Sequence, residues 1–150
     1  MNCYAVYDTN VLISSLLTKS SDTATAQVID AIITGEVVPL YNQEILDEYE
    51  DVLHRPKFPF KEEAIRKLLA IFRQYGIEVN PSHTGEVLID MDDLVFYEVV
   101  MEKRKDDAYL ITGNIRHFPK KSFIVTPAEM MRIIREKASG KNEVEDGNIK

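Results

Sequence analysis

A chain of 150 residues with a formal net charge of −7 and a single cysteine is the size of one ordinary domain. Those values exclude an internal disulfide framework and a Cys-based zinc cluster, and they argue against broad electrostatic binding of nucleic acid. A hydrophobic fraction of 45% and a charged fraction of 29% fit a globular protein, and no apolar run approaches the length of a membrane span. The start lacks a basic region and a small-residue cleavage site, so a cytoplasmic protein with no membrane association is expected. Excess acid has a second reading, as ligands for a metal.

The first apolar run, Cys3-Tyr4-Ala5-Val6-Tyr7, reads as a strand that delivers Asp8 at its end, with Cys3 expected in the core. Thr9-Asn10 and Val11-Leu12-Ile13 then open a helix from about 10, and a second helix over about 22–34 is closed by Gly35. Val37-Val38-Pro39-Leu40-Tyr41 is the next strand. Asn42 caps a helix over about 43–54 that ends before Pro56, and Lys61 to Tyr75 forms an amphipathic helix with Gly76 as its stop. Ile77-Glu78-Val79 is a short strand, followed by a polar loop over Pro81 to Glu86.

Asp90-Met91-Asp92-Asp93 introduces a helix running to about 105. Ala108-Tyr109-Leu110-Ile111 is a buried strand ending in Thr112-Gly113-Asn114, and Phe123-Ile124-Val125 is the last strand. Thr126-Pro127-Ala128-Glu129 has a capping residue, Pro at the first helical position and Glu at the third, which predicts a terminal helix. Strands alternating with helices imply an α/β domain over 1–138 with a mainly parallel sheet covered on both faces. The polar stretch 139–150 loses all apolar period and reads as a disordered tail.

Several acids exceed what local structure needs. Asp8 reads equally as a helix cap or as a site acid, because ligands bind beyond the carboxyl ends of parallel strands. Along the helix over 43–54, Glu44/Glu48 and Asp47/Asp51 place like charges one turn apart. The helix N-terminus accounts for Glu44, and less well for Glu48. Asp90, Asp92 and Asp93 crowd one helix start, where a single cap suffices. Two carboxylates about 4 Å apart at an effective dielectric near 20 repel by about 4 kcal/mol, so converging acids need a cation or a proton. Oxygen-only donors suit Mg²⁺ or Mn²⁺.

Asp8-Thr9-Asn10 at a first strand's end, Glu44-Ile45-Leu46-Asp47-Glu48-Tyr49 followed by Val52-Leu53-His54-Arg55-Pro56-Lys57-Phe58, then Asp90-Met91-Asp92-Asp93, and Leu110-Ile111-Thr112-Gly113-Asn114 with His117-Phe118-Pro119, together resemble the PIN-domain family. More narrowly they look like the toxin components of toxin–antitoxin systems, relatives of VapC-type toxins, over residues 1 to about 135. The resemblance implies a three-layer α/β/α fold and a metal-dependent ribonuclease of the cytoplasm. It implies a site of acids in which Asp8, Glu48 and Asp93 are catalytic and hold Mg²⁺ or Mn²⁺, with Asp90 and Asp92 as register alternatives for the third position. Asn114 falls on a fourth metal position where many members carry Asp, which makes a second metal ion less favourable.

Asn10 and Thr112 look like residues that orient the ligands from behind. RNA approaching an acidic pocket requires a basic rim, for which Arg55, Lys57, Arg116 and His117 are the main candidates, beside Lys103-Arg104-Lys105 and Lys120-Lys121. An antitoxin protein and a second copy of the chain are the partners the resemblance implies. A haloacid-dehalogenase phosphatase needs a second Asp where Asn10 stands, a response-regulator receiver needs a Lys after a late strand, and no GxGxxG follows the first strand for a dinucleotide. The alternative from another class is a catalytically weak PIN-like module that dimerises or binds an antitoxin, a reading that Asn114 favours.

Overall fold

The computed structural model describes the backbone of residues 3–149 and the side chains of residues 3–139. From 140 onward, the tail expected over 139–150 lies outside the residues with described side chains. Five parallel strands form one sheet: β1 (Cys3–Tyr7), β2 (Val37–Tyr41), β3 (Ile77–Glu78), β4 (Tyr109–Ile111) and β5 (Ile124–Val125). Six helices flank it in a three-layer α/β/α arrangement: α1 (Thr9–Leu17), α2 (Ala24–Ile33), α3 (Gln43–Leu53), α4 (Glu62–Tyr75), α5 (Leu94–Glu102) and α6 (Pro127–Ile149). The strands are near-continuously apolar because a parallel sheet is buried on both faces.

The order β3-β2-β1-β4-β5 puts β1 at the centre, with Ala5 opposite both Pro39 of β2 and Tyr109 of β4. The chain winds outward from β1 through β2 to β3, then returns to build β4 and β5 on the other side. The direction of winding therefore reverses between β1 and β4. Crevices at such reversals, beyond the strands' carboxyl ends, are where α/β folds bind ligands. Asp8 follows β1 there, and Thr112 follows β4.

The caps form largely as the sequence implies. The Asn42 side chain accepts from the Ile45 amide at 2.9 Å, and the Thr126–Glu129 pair closes reciprocally at 2.9 and 3.1 Å. Gly35 ends α2 with a φ of 84°, in the left-handed region that glycine enters without strain. Gly76 has a different reason to be glycine. Its backbone is extended, and a Cβ there would lie 2.7 Å from the Pro39 carbonyl oxygen, 2.9 Å from Tyr41 Cδ1, and closer still to the Phe72 carbonyl. The helix expected from Asp90 to about 105 is instead a 3₁₀ turn over Met91–Asp93, then α5, then a second 3₁₀ turn over Arg104–Asp106. β3 is brief because its ladder begins at Leu40, one residue past Pro39, which has no N–H to extend it.

Two buried tyrosines tie the central strand to its helices. The Tyr7 hydroxyl donates to the Val28 carbonyl on α2 at 2.6 Å, and the Tyr49 hydroxyl on α3 donates to the Tyr7 carbonyl. Both rings pack on Phe72 of α4, with centroids 5.4 and 5.2 Å away. Burial pushes both phenols well above their ordinary range, so they remain neutral donors.

Gly76→Ala should lower unfolding free energy by about 1–3 kcal/mol, because backbone atoms block the new methyl group; urea unfolding reads the change. Tyr49→Phe, which keeps the ring and removes the donor, should lose about 0.5–1.5 kcal/mol in the same assay. An unchanged midpoint for Tyr49→Phe would mean that the hydroxyl contributes nothing to locking α3 on β1.

Candidate functional site

The residue after β1 occupies the N-cap position of α1, and its carbonyl accepts from the Val11 amide at 3.0 Å. The Asp8 carboxylate makes no capping hydrogen bond. It is turned toward β4 instead: Thr112 Oγ1 donates to Asp8 Oδ2 at 2.7 Å, and Asn10 Nδ2 donates to the same oxygen at 3.1 Å. Both donors are themselves held. Thr112 Oγ1 accepts from the Asn114 amide at 2.9 Å, and Asn10 Oδ1 accepts from the Gly113 amide at 3.0 Å. The Asp8 amide in turn donates to the Ile111 carbonyl at 2.9 Å, stitching the two strand ends together.

Asp8 is 5% exposed and Thr112 fully buried, so this carboxylate is shielded from water while the two donors satisfy only one of its oxygens. Burial raises its pKa, opposed first by the hydrogen bond from Thr112. Thr9 adds a second polar cost at the same point, a buried hydroxyl with no hydrogen-bond partner among the described residues.

The three aspartates before α5 separate by role. Asp90 is the cap: its Oδ1 accepts from the Asp92 amide at 3.0 Å, and its carbonyl accepts from the Asp93 amide. Asp92 is exposed. Asp93 turns inward, with Oδ2 3.6 Å from His117 Nδ1, and it feels the charge of Asp8. Burial first, then the charges of Asp8 and Asp90, push Asp93 up to about 7. His117 opposes that shift and acts the same way on Asp8.

On α3, Asp47 accepts from Gln43 at 2.8 Å and Asp51 pairs with Arg55 at 3.4 Å. Glu48 is half-buried and has neither an ion pair nor a hydrogen bond among the described residues. Its pKa is raised by burial and then by Asp92, Asp51 and Asp90, with Arg55 opposing. The acids thus form one continuous negative field, running from Asp8 to Asp93, through Asp90 and Asp92, to Glu48.

Donors of this kind, all oxygen and mutually repelling, are chemically suited to a hard divalent cation. As the side chains stand, no three His, Cys, Asp or Glu groups among the described residues draw close enough to hold one. Asn114 is exposed at the start of the 3₁₀ turn Ile115–His117, and its side chain makes no capping bond. With Gly113, Arg116, His117 and Thr126 it lines a cavity of about 430 Å³ adjoining Asp93's partner His117. Arg116 is exposed, as are Arg55 and Lys57 in the segment that follows α3.

Two residues that matter here were not singled out from the sequence. Tyr49 follows Glu48 and anchors it to the strand that ends at Asp8; a tyrosine at a core position of an amphipathic helix is the signal, since its hydroxyl must find a partner. Glu98 is the one acid within the apolar run Leu94–Met101, and it is buried. It accepts from the Thr84 amide at 2.6 Å and the Thr84 hydroxyl at 3.2 Å, pinning the preceding loop to α5.

The PIN domain model matches residues 4–116, which run from β1 through the turn that follows β4. An uncharacterized protein of Methanocaldococcus jannaschii is 30% identical over 112 residues, covering 73% of this chain and 69% of that protein. No solved structure matches the chain. No helix among the described residues is long and apolar enough to cross a membrane. PIN domains are generally nucleases and typically use divalent metal ions. On the extent of the match, and with an acid-lined crevice where the sheet's winding reverses, the chain belongs to the PIN-domain family.

Proposed function

We propose that the protein is a ribonuclease dependent on Mg²⁺ or Mn²⁺, with Asp8, Glu48 and Asp93 as the catalytic and metal-holding acids and Asn114 as a neutral fourth donor. The observation that carries this reading is the Asp8 carboxylate buried at the reversal point, whose negative charge reaches Asp93 and, after burial, helps to push that carboxyl up to about 7. A cation at that point would offset the repulsion that the fold otherwise has to bear. When bound, such an ion polarises a phosphate oxygen and lowers the pKa of an attacking water.

The chain's own residues do the positioning. Thr112 and Asn10 fix one oxygen of Asp8 and so aim the other. Tyr49 holds the helix that presents Glu48, and carboxylate oxygens not engaged with the ion can take the proton that the water sheds. Arg55, Lys57, Arg116 and His117 form the rim that meets the phosphate backbone, offsetting the negative pocket.

A role as the toxin of a toxin–antitoxin pair agrees with an apolar strip leading into Asp93. Val87 is 84% and Ile89 79% exposed, and Met91 is also exposed. Exposed apolar strips of this sort mark protein contact sites, which an antitoxin or a second copy of the chain would cover. The same strip favours the second reading, a catalytically weak interaction module.

Asp8→Asn should abolish both divalent binding in calorimetry and RNA cleavage, while preserving the fold in circular dichroism. Wild-type protein that takes up no Mn²⁺ or Mg²⁺ in the calorimeter would sink the metal-dependent reading. Growth arrest that persists unchanged in cells expressing Asp8→Asn would support the interaction module instead.

The raised carboxyls also set a pH dependence. Asp93 in the folded state keeps its proton up to about 7, whereas in the unfolded chain it loses it near the ordinary value of 3.8. Its contribution therefore favours folding in acid, and that advantage is lost as pH rises through about 7; the upward shift of Asp8 acts in the same direction. In EDTA, the urea midpoint should be lower at about pH 8 than at about pH 5, with the slope reduced in Asp93→Asn and reversed in part by adding Mn²⁺. A midpoint in EDTA that rises over this range would contradict the assignment of Asp93 as a carboxyl strained by its neighbours.

A further inference from the structure

The segment joining α3 to α4 combines charge and aromatic stacking in a way that the acid site does not require. Residues 52–61 include His54, Arg55, Lys57 and Lys61 and no acid, within a chain whose net charge is −7. Phe58 and Phe60 stack with ring centroids 5.2 Å apart and planes 8° from parallel. Phe60 packs against the core, and the Lys57 ammonium lies 5.2 Å from the centre of the Phe58 ring. Pro56 and Pro59 restrict the backbone on either side, which holds the stack in place at low entropic cost. Arg55 lies two residues past the end of α3, and its charge reaches Glu48 on that helix.

Phe58 is only half-buried, so the stacked pair keeps part of a flat aromatic face at the surface. Here the inner ring is seated on the core, and a cation on a flexible stem sits against the outer one. A nucleobase can displace that ammonium from the ring and continue the stack, leaving Lys57 free to meet a phosphate. An acidic peptide would engage the cations and leave the aromatic face unused. A duplex offers no free base face, because its bases are already stacked on both sides.

We propose that Phe58, backed by Phe60 and flanked by Lys57 and Lys61, is a base-stacking subsite for a single-stranded stretch of RNA next to the acid crevice. The proposal deepens the reading of the chain as a ribonuclease and rests on it for the identity of the polymer.

The chain contains no tryptophan, so Phe58→Trp introduces a lone indole as a reporter. In EDTA, where no metal-dependent cleavage occurs, a short single-stranded oligoribonucleotide should quench that indole saturably, and a duplex of the same sequence should not. Phe58→Ala should bind the single strand about 5- to 100-fold more weakly than wild type, as measured by anisotropy. Lys57→Gln should reduce the slope of log affinity against log salt by about 0.7, and it remains informative if Phe58→Ala fails to fold.

Indole emission that is unmoved while the oligonucleotide binds, wild-type affinity in a folded Phe58→Ala, or quenching by an acidic peptide in place of RNA would each overturn the subsite. Cleavage assayed separately with Mn²⁺ keeps the two readings apart. A lost subsite with cleavage intact leaves the ribonuclease standing, whereas stacking by a wild-type protein that does not cleave removes the catalytic reading alone.

Discussion

The Tyr49 hydroxyl reaches across from α3 to the carbonyl of Tyr7, the last residue of the central strand, while the Tyr7 hydroxyl reaches the Val28 carbonyl on α2. These groups lie in an apolar core with both rings against Phe72, where an unbonded hydroxyl would carry its full desolvation cost. The two bonds together constrain how α2, β1 and α3 sit against one another. Because Tyr7 precedes Asp8 and Tyr49 follows Glu48, the constraint that aligns the core also fixes where two of the acids emerge. Packing and chemistry here share one set of contacts, so a change in either disturbs the other.

At the neighbouring strand end, the parallel sheet solves a different problem. A carboxylate buried as deeply as Asp8 is costly, and the fold offsets part of that cost with donors that the topology delivers from over a hundred positions later in the chain, at Thr112. Two donors converge on one oxygen, so the arrangement orients the acid without neutralising it. Asp93 then adds negative charge to the same crevice, and its pKa moves up to about 7. A core arranged for stability alone would avoid this, and retained strain of that kind is characteristic of sites tuned for binding or chemistry.

Much of the fold was legible locally. The strands announced themselves as short apolar runs because both faces of a parallel sheet are buried, and the Thr126–Glu129 box depends only on residues three apart. Gly76 was legible as a helix stop, but its requirement for glycine comes from the Pro39 carbonyl, a neighbour created by the β2–β3 pairing. The Asp90–Asp93 run read as one helix start, with Asp93 as the site acid and Asp90 and Asp92 as register alternatives. Its 3₁₀ geometry assigns the cap to Asp90, exposes Asp92 and turns Asp93 inward, a distinction that depends on the exact pitch of a single turn and on the position of His117.

By itself, then, the sequence determined the α/β alternation, the length and order of most elements, and the inventory of acids, because apolar period and capping chemistry act over a few residues. The tertiary structure alone decided that Asp8 abandons its capping role for a bond to Thr112, and that Tyr49 is the tether beneath Glu48. It also decided that Phe58 stacks on Phe60 beneath a lysine. Contacts between β1 and its partners depend on which strands lie side by side, and long-range pairing of that kind follows from burying the whole sheet at once, a balance that no local window of residues contains.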